Sequence, residues 1–227
     1  MIPAIIYLLL RKYRISHPVK AQKIINVVKK ASQVILLIVL FLAVPQIAGS
    51  QNHNLEYVIK RKGNNVGSLY FIQQLSGGKL LLKLESEVKT RMIFLLTARA
   101  KEESVYENGI LTWSSIYRKL NGNEKVNKKT SLFGNNYIIS HGSRSESLNN
   151  YPIQYNMICL YTMEPVDIKT VYSDNFEQFI NIEVMAAHHY KIRFPDGNYN
   201  EYFYVNGICT KVKVNHSMYS ATIELKS

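Results

Sequence analysis

In YNEYFYVNGICTKVKV, residues 199–214, two alternating runs meet at Asn206-Gly207. Asn and Gly tolerate the positive φ angles of a two-residue type I′ turn, so 199–205 and 208–214 are predicted to pair as an antiparallel hairpin. Tyr202 and Tyr204 alternate on the first run. On the second, Ile208, Thr210, Val212 and Val214 alternate with Lys211 and Lys213. A period of two marks strands with one face on a core and the other in water.

The same signals recur along the chain. Turn chemistry appears at GNN (63–65), SGG (76–78), ENG (107–109), NGN (121–123), GNN (134–136) and PDG (195–197). Between the turns, Leu55, Tyr57 and Ile59 share a face opposite Glu56 and Lys60. Leu80, Leu82, Leu84 and Val88 share another, opposite Lys83, Glu85 and Glu87. No strand–helix rhythm points to parallel units, so the chain is read as mainly β and antiparallel. One segment departs from this pattern. In NNYPIQYNMICLYTMEP (149–165), Pro152 suits a first helical turn after an Asn cap, and Ile153, Met157, Leu160 and Tyr161 follow at helical spacing. Pro165 stops the segment. One short helix is expected, about 152–163, lying on the apolar face of the sheet.

The VGSLYF hairpin (66–71), the YENGIL turn (106–111), the predicted helix ending in Glu164-Pro165, and FPDGNYNEYFYVNGICTKVKV (194–214) resemble a family of uncharacterised exported envelope proteins. The resemblance covers roughly residues 54–226. It implies a domain of unknown function built as a curved antiparallel half-barrel, similar to the bacterial lipoprotein carriers LolA and LolB. The short helix would then lie on the concave face. The shared motifs are turn residues, so the resemblance implies an architecture and an envelope location but transfers no catalytic residue.

Residues 1–50 read as a leader. The apolar run Val34 to Val44 is 11 residues long and ends at Pro45. A helix needs about 20 apolar residues to cross a bilayer, whereas a signal-peptide core needs about 7–15. Lys29 and Lys30 precede the run, and Ala48-Gly49-Ser50 supplies small residues for cleavage near Ser50. The expectation is a cleaved signal peptide, no stable transmembrane anchor, and a periplasmic or secreted product. A leader of this length exceeds the usual ~15–30 residues. Synthesis starting near Val27 or Val28 from a non-Met codon would account for residues 1–26. The remaining 51–227 is long enough for a single β domain with its own core.

The chain carries 28 Lys and Arg against 16 Asp and Glu, a net charge of +12, and seven of the basic residues lie in 1–50 with no acid beside them. The domain alone is therefore only mildly basic, at +5. Lysine clusters such as KVNKKT (125–130) suit solvated hairpin edges. No recognition motif accompanies them, and no nucleic-acid partner is expected. Export permits a disulfide between Cys159 and Cys209, although two thiols make no disulfide framework; two separate buried thiols is the other reading.

No catalytic constellation emerges. His188-His189 would point to opposite faces of a strand, so the pair cannot converge on a metal, and no metal site or cofactor is expected. SHGSRS (140–145) lacks a nucleophile elbow, and Glu102 and Glu103 diverge as strand neighbours. The chain is read as a non-enzyme. Aromatic residues are more informative, since 14 of the 16 tyrosines follow residue 50. Most serve cross-strand packing. Trp113 and Tyr117, on one strand face, are expected to form the aromatic wall of a ligand cavity roofed by Met157, Leu160 and Tyr161 of the helix.

Three functions compete. The first is a non-catalytic binding protein for a lipid-like or other apolar ligand held between concave sheet and helix. The second is a structural or protein-interaction module of the envelope with a filled core and a protein partner. The third is a hydrolase with a dispersed site.

Overall fold

The computed structural model describes residues 52–91, 95–149 and 152–226. The expectations for the leader, 1–50, lie outside the described residues. Fourteen strands follow one another: β1 His53–Arg61, β2 Asn64–Ser76, β3 Lys79–Arg91, β4 Leu95–Glu107, β5 Ile110–Leu120, β6 Asn123–Phe133, β7 Asn136–His141, β8 Arg144–Asn149, β9 Thr170–Ser173, β10 Gln178–Ala186, β11 His189–Arg193, β12 Tyr199–Val205, β13 Ile208–His216 and β14 Tyr219–Leu225. They form one antiparallel sheet in the order β8-β7-β6-β5-β4-β3-β2-β1-β14-β13-β12-β11-β10-β9. It comprises two meanders, β1–β8 and β9–β14, joined where β1 pairs with β14. The fold is mainly β, as expected.

The sheet has to curl. Residues 152–169, here the strap, join β8 to β9 and contain a 3-10 turn, Met157–Tyr161. That turn touches β3, β4, β9 and β13. Between β4 and β9 lie nine strand spacings, about 43 Å on a flat sheet at about 4.8 Å each. A five-residue turn spans only about 10 Å. The sheet therefore wraps around the strap, which occupies its inner face. Among the described residues the end strands β8 and β9 do not pair with each other, so the sheet is not closed into a barrel.

The expected helix over 152–163 shrinks to this single 3-10 turn, because its backbone has other partners. Ile153 O accepts from Leu111 N at 2.8 Å and Tyr155 O accepts from Tyr172 N at 2.9 Å. Asn156 N donates to the Tyr106 hydroxyl at 3.1 Å. Groups that an α-helix would pair internally are committed to the sheet, so the helix-like spacing served packing alone.

Hairpin chemistry follows the sequence more closely. Asn206 and Gly207 both adopt positive φ, 52° and 78°, as the type I′ reading requires. One slip follows the turn. The register shifts at Phe203/Tyr204, pairing Tyr204 with Cys209 and Phe203 with Lys211. This bulge turns Cys209 fully inward, at 0 % exposure, and takes Thr210 out of the alternation with Val212. The Thr210 hydroxyl donates to Phe203 O at 3.3 Å. YENGILT (106–112) repeats the device: the register shifts at Val105/Tyr106, and the Thr112 hydroxyl donates to Val105 O at 3.2 Å. Tyrosines seal both bulges, Tyr137 donating to Leu111 O and Tyr57 to Cys209 O, each at 2.9 Å. The strands involved, β4, β5 and β7 in one case and β12, β13 and β1 in the other, sit six positions apart in the sheet.

Two glycines should be sensitive to substitution. Gly207→Val should cost roughly 1 kcal/mol or more, because a β-branched residue resists the left-handed region. Gly67 lies inside β2, where an added Cβ would stand 2.1 Å from Glu87 O. Gly67→Ala should cost more than the turn variant, since the obstacle is backbone of the neighbouring strand. Equilibrium urea unfolding of the domain checks both, and an unchanged midpoint would contradict either assignment.

Candidate functional site

Across the register from β3 to β7, the inner face is laid down in rows, and their chemistry changes from one end to the other. Leu80, Tyr106 and Leu111, with Leu132 paired to Tyr137, make an apolar first row. Leu82, Ser104, Ser114, Thr130 and Ile139 make the second. In the third, Leu84, Glu102, Ile116, Lys128 and His141 stand side by side. Ser86, Ala100, Arg118 and Val126 follow, and then Gly67, Val88, Ala98 and Leu120. Polar and charged groups thus occupy positions that alternation assigns to the core.

The strap meets this wall through Asn156, which is fully buried. Its Oδ1 accepts from the Tyr106 hydroxyl at 2.8 Å. Its Nδ2 donates to Ser104 Oγ at 2.8 Å and to Asp174 Oδ2 at 3.0 Å. Asp174 also accepts from Ser114 Oγ at 2.5 Å. Burial pushes the Asp174 carboxyl up to about 6, and the nearby Glu102 charge adds to the rise. On the other flank, the Tyr204 hydroxyl donates to Leu160 O at 2.8 Å.

The turn after β9 fastens the open side of the sheet. Glu177 pairs with Lys128, and with His141 Nε2 at 2.8 Å. Lys128 Nζ also donates to Asn175 O at 2.6 Å. Burial alone would push the Glu177 carboxyl up, but the bonds from Lys128 and His141 outweigh it and hold it below the usual carboxylate range. Glu177 takes a left-handed backbone, φ 57°, a costly conformation for this residue type.

Tyr106, Leu82, Ser104, Ser114 and Thr130 in the first two rows are essentially sealed. From β3 to β6 the members of the last two rows are half-exposed, although they face inward, while Leu69 of β2 beside Ser86 is buried. Among the described residues, no hydrogen bond or ring contact joins the strap to those rows. These half-exposed inner rows beside the strap, the mouth, mix small side chains with larger ones, and Arg118 among them pairs with Glu102 of the third row at 2.7 Å.

The residues singled out from sequence divide between the two faces. Leu160 is fully buried in the core, Tyr161 is nearly so and Met157 is half-buried. The Tyr161 ring stacks on Phe71 at 5.7 Å and meets the Tyr57 ring edge-on at 5.4 Å. Trp113 and Tyr117 stand on the outer face, because Ser114 and Ile116 between them point inward. The structure therefore does not bring wall and roof together. Cys159 and Cys209 are free, buried thiols, and burial pushes them up to about 11 and about 12. His188 bonds Glu164 at 2.9 Å while His189 lies 3.4 Å from Glu201, so the adjacent imidazoles serve different carboxylates. Among the described residues, no cluster of three or more His, Cys, Asp or Glu is arranged to hold a metal.

Sequence reasoning missed the polar wall. Its signal was present: Glu102, Ser104, Ser114, Arg118, Lys128 and Thr130 all occupy even-numbered positions of long strands, on one face with Tyr106 and Ile116. A polar run on a core-facing register indicates a buried network or an open trough.

These features define a barrel-like antiparallel β domain whose inner face is shared between its own strap and a partly open mouth. Residues 57–226 match the family model described as domain of unknown function DUF6134, and the chain belongs to that family. No curated protein matches the sequence. Among solved structures, the fold is similar to a β-barrel-like protein of domain of unknown function DUF1849 from Brucella abortus. That match has 10 % identity and a TM-score of 0.56, and it covers 78 % of this chain and 96 % of the other. At such identity the likeness concerns fold alone.

Asp174 gives a pH-dependent test. Its folded pKa, about 6, lies above the ordinary value of 3.8, so the folded state binds the extra proton between those values. The buried charge therefore weakens the fold above pH 6, and this penalty fades as pH falls towards 4. Asp174→Asn should be more stable than wild type at pH 7 and should lose that advantage by pH 4. Urea midpoints across this range check it; a constant difference between the two proteins would contradict it.

Proposed function

We propose that this is an exported, non-catalytic binding protein of the cell envelope, periplasmic or secreted after cleavage near Ser50. Its ligand, in this reading, is apolar or lipid-like and sits in the mouth beside the strap. One observation carries the reading: the inner face continues beyond the strap as two rows of half-exposed, mostly small or apolar residues. A self-filled module has no use for inward-facing Ser86, Ala98 and Ala100 on long strands, whereas a guest needs the volume they leave. The resemblance to lipoprotein carriers agrees with this use of a curled sheet, as fold-level analogy only. The leader composition supports export.

A second reading has its own observation. Val184, Met185 and Val205 are exposed on two hairpin ends, with Val166 exposed on the strap. The His188 carbonyl accepts from Tyr204 N at 2.9 Å, which brings those ends together. Such an apolar tip suits a protein partner in the envelope, with the strap serving as core filling.

The two readings separate on ligand uptake. A fluorescent long-chain fatty acid should bind wild-type protein saturably, and Ala100→Phe should abolish uptake by filling the mouth. Leu160→Ala should cost about 2–5 kcal/mol in urea unfolding, because a sealed leucine leaves a void, while probe binding persists. No saturable binding by the wild type would end the carrier reading and leave the interaction module standing.

A further inference from the structure

Resting on the binding reading above, we propose that the mouth recognises an amphiphile with an anionic head, and that the Arg118 guanidinium receives that head. Arg118 lies on β5 between Ala100 of β4 and Val126 of β6, so its neighbours in the row are small or apolar. It faces inward, because the flanking Ile116 is buried and Ser114 bonds Asp174. Among the described residues, its one polar contact runs from a terminal nitrogen to Glu102 Oε1 at 2.7 Å. A guanidinium has five N–H donors in a planar fork, so most of its donor capacity remains unused. The side chain is 41 % exposed and Glu102 20 %, so the guanidinium remains accessible beside its more buried acid.

The surroundings make Arg118 the available cation. Lys128, the other basic group in the third and fourth rows besides His141, is tied to Glu177 and to Asn175 O. His141 is tied to Glu177 as well. Glu102 orients Arg118 through one oxygen, a contact that an incoming carboxylate or phosphate can share or replace. A planar fork recognises such heads in a bidentate manner that an ammonium cannot reproduce. Beyond the head, Val88, Ala98, Leu120 and Val126 offer an apolar surface for a chain. An acyl chain ending in an anionic group satisfies both halves of the mouth, whereas a neutral lipid leaves the guanidinium desolvated without a new partner.

Titration with a pyrene-labelled long-chain fatty acid and with its methyl ester tests this on the intact protein, with three variants. Wild type should bind the acid at least tenfold more tightly than the ester. Arg118→Gln should remove that preference while leaving ester binding in place, and Arg118→Lys should restore only part of it. Glu102→Gln should raise affinity for the acid, since it removes the competing carboxylate, and should leave the ester unchanged. These opposite shifts distinguish recognition from damage to the fold, which would weaken both probes together. Displacement by unlabelled palmitate or by lysophosphatidate tells a carboxylate head from a phosphate one, and either supports the proposal. Equal affinity for acid and ester in wild type would overturn the role of Arg118 while leaving the apolar site intact. Binding of neither probe would overturn the proposal together with the reading on which it rests.

Discussion

Asn156 has no exposure to solvent, and its side-chain oxygen and nitrogen both have partners in Tyr106, Ser104 and Asp174. A buried amide with this many bonds is costly to displace, because each abandoned group would be left without water. The node therefore fixes where the strap crosses the inner face. With the strap held there, the 3-10 turn that follows must touch both halves of the sheet, and the sheet must curl to reach it. The same crossing point divides the inner face into a sealed part and an open part. Curvature, core and mouth all depend on one asparagine meeting a polar row.

That dependence explains which features were legible in the sequence. Strands and hairpins are local: alternation in residues 79–88 and Asn-Gly at 206–207 record themselves within a few residues, and both hold in the structure. The strap is a tertiary object. Ile153, Met157, Leu160 and Tyr161 carry helical spacing, yet the carbonyls of Ile153 and Tyr155 bond to β5 and β9, which no local pattern reveals. Cys209 was hidden by a bulge, which reverses the faces of the residues beyond it. Trp113 and Tyr117 share one face, as their spacing requires, but that spacing does not say which face the strap covers. The buried Ser114 and Ile116 between them on β5 mark the inner side.

The two Tyr-x-Asn-Gly-Ile-x-Thr hairpins give the domain an internal correspondence that its sequence alone shows only as a short echo. In each, a threonine settles the bulge and a tyrosine from two strands away seals the bulge carbonyl. The hairpin tyrosines then diverge in use: Tyr106 holds the side chain and amide of Asn156, and Tyr204 holds the carbonyl of Leu160. Similar frames on the two sides thus grip one asymmetric strap, and the contents of the inner face differ accordingly, ionic beside β4–β7 and rich in tyrosine beside β12–β13.

The order of the sheet also sets an order of assembly. Every ladder joins neighbours in the chain except that between β1 and β14, whose residues Lys60 and Glu224 are 164 positions apart. The two meanders need only local loop closure, which is fast, whereas this last pairing spans nearly the whole domain and is slow. On the ribosome β1 is made well before β14. The free edge of β1 must therefore wait, unpaired and open to strand addition from other chains, until β14 emerges.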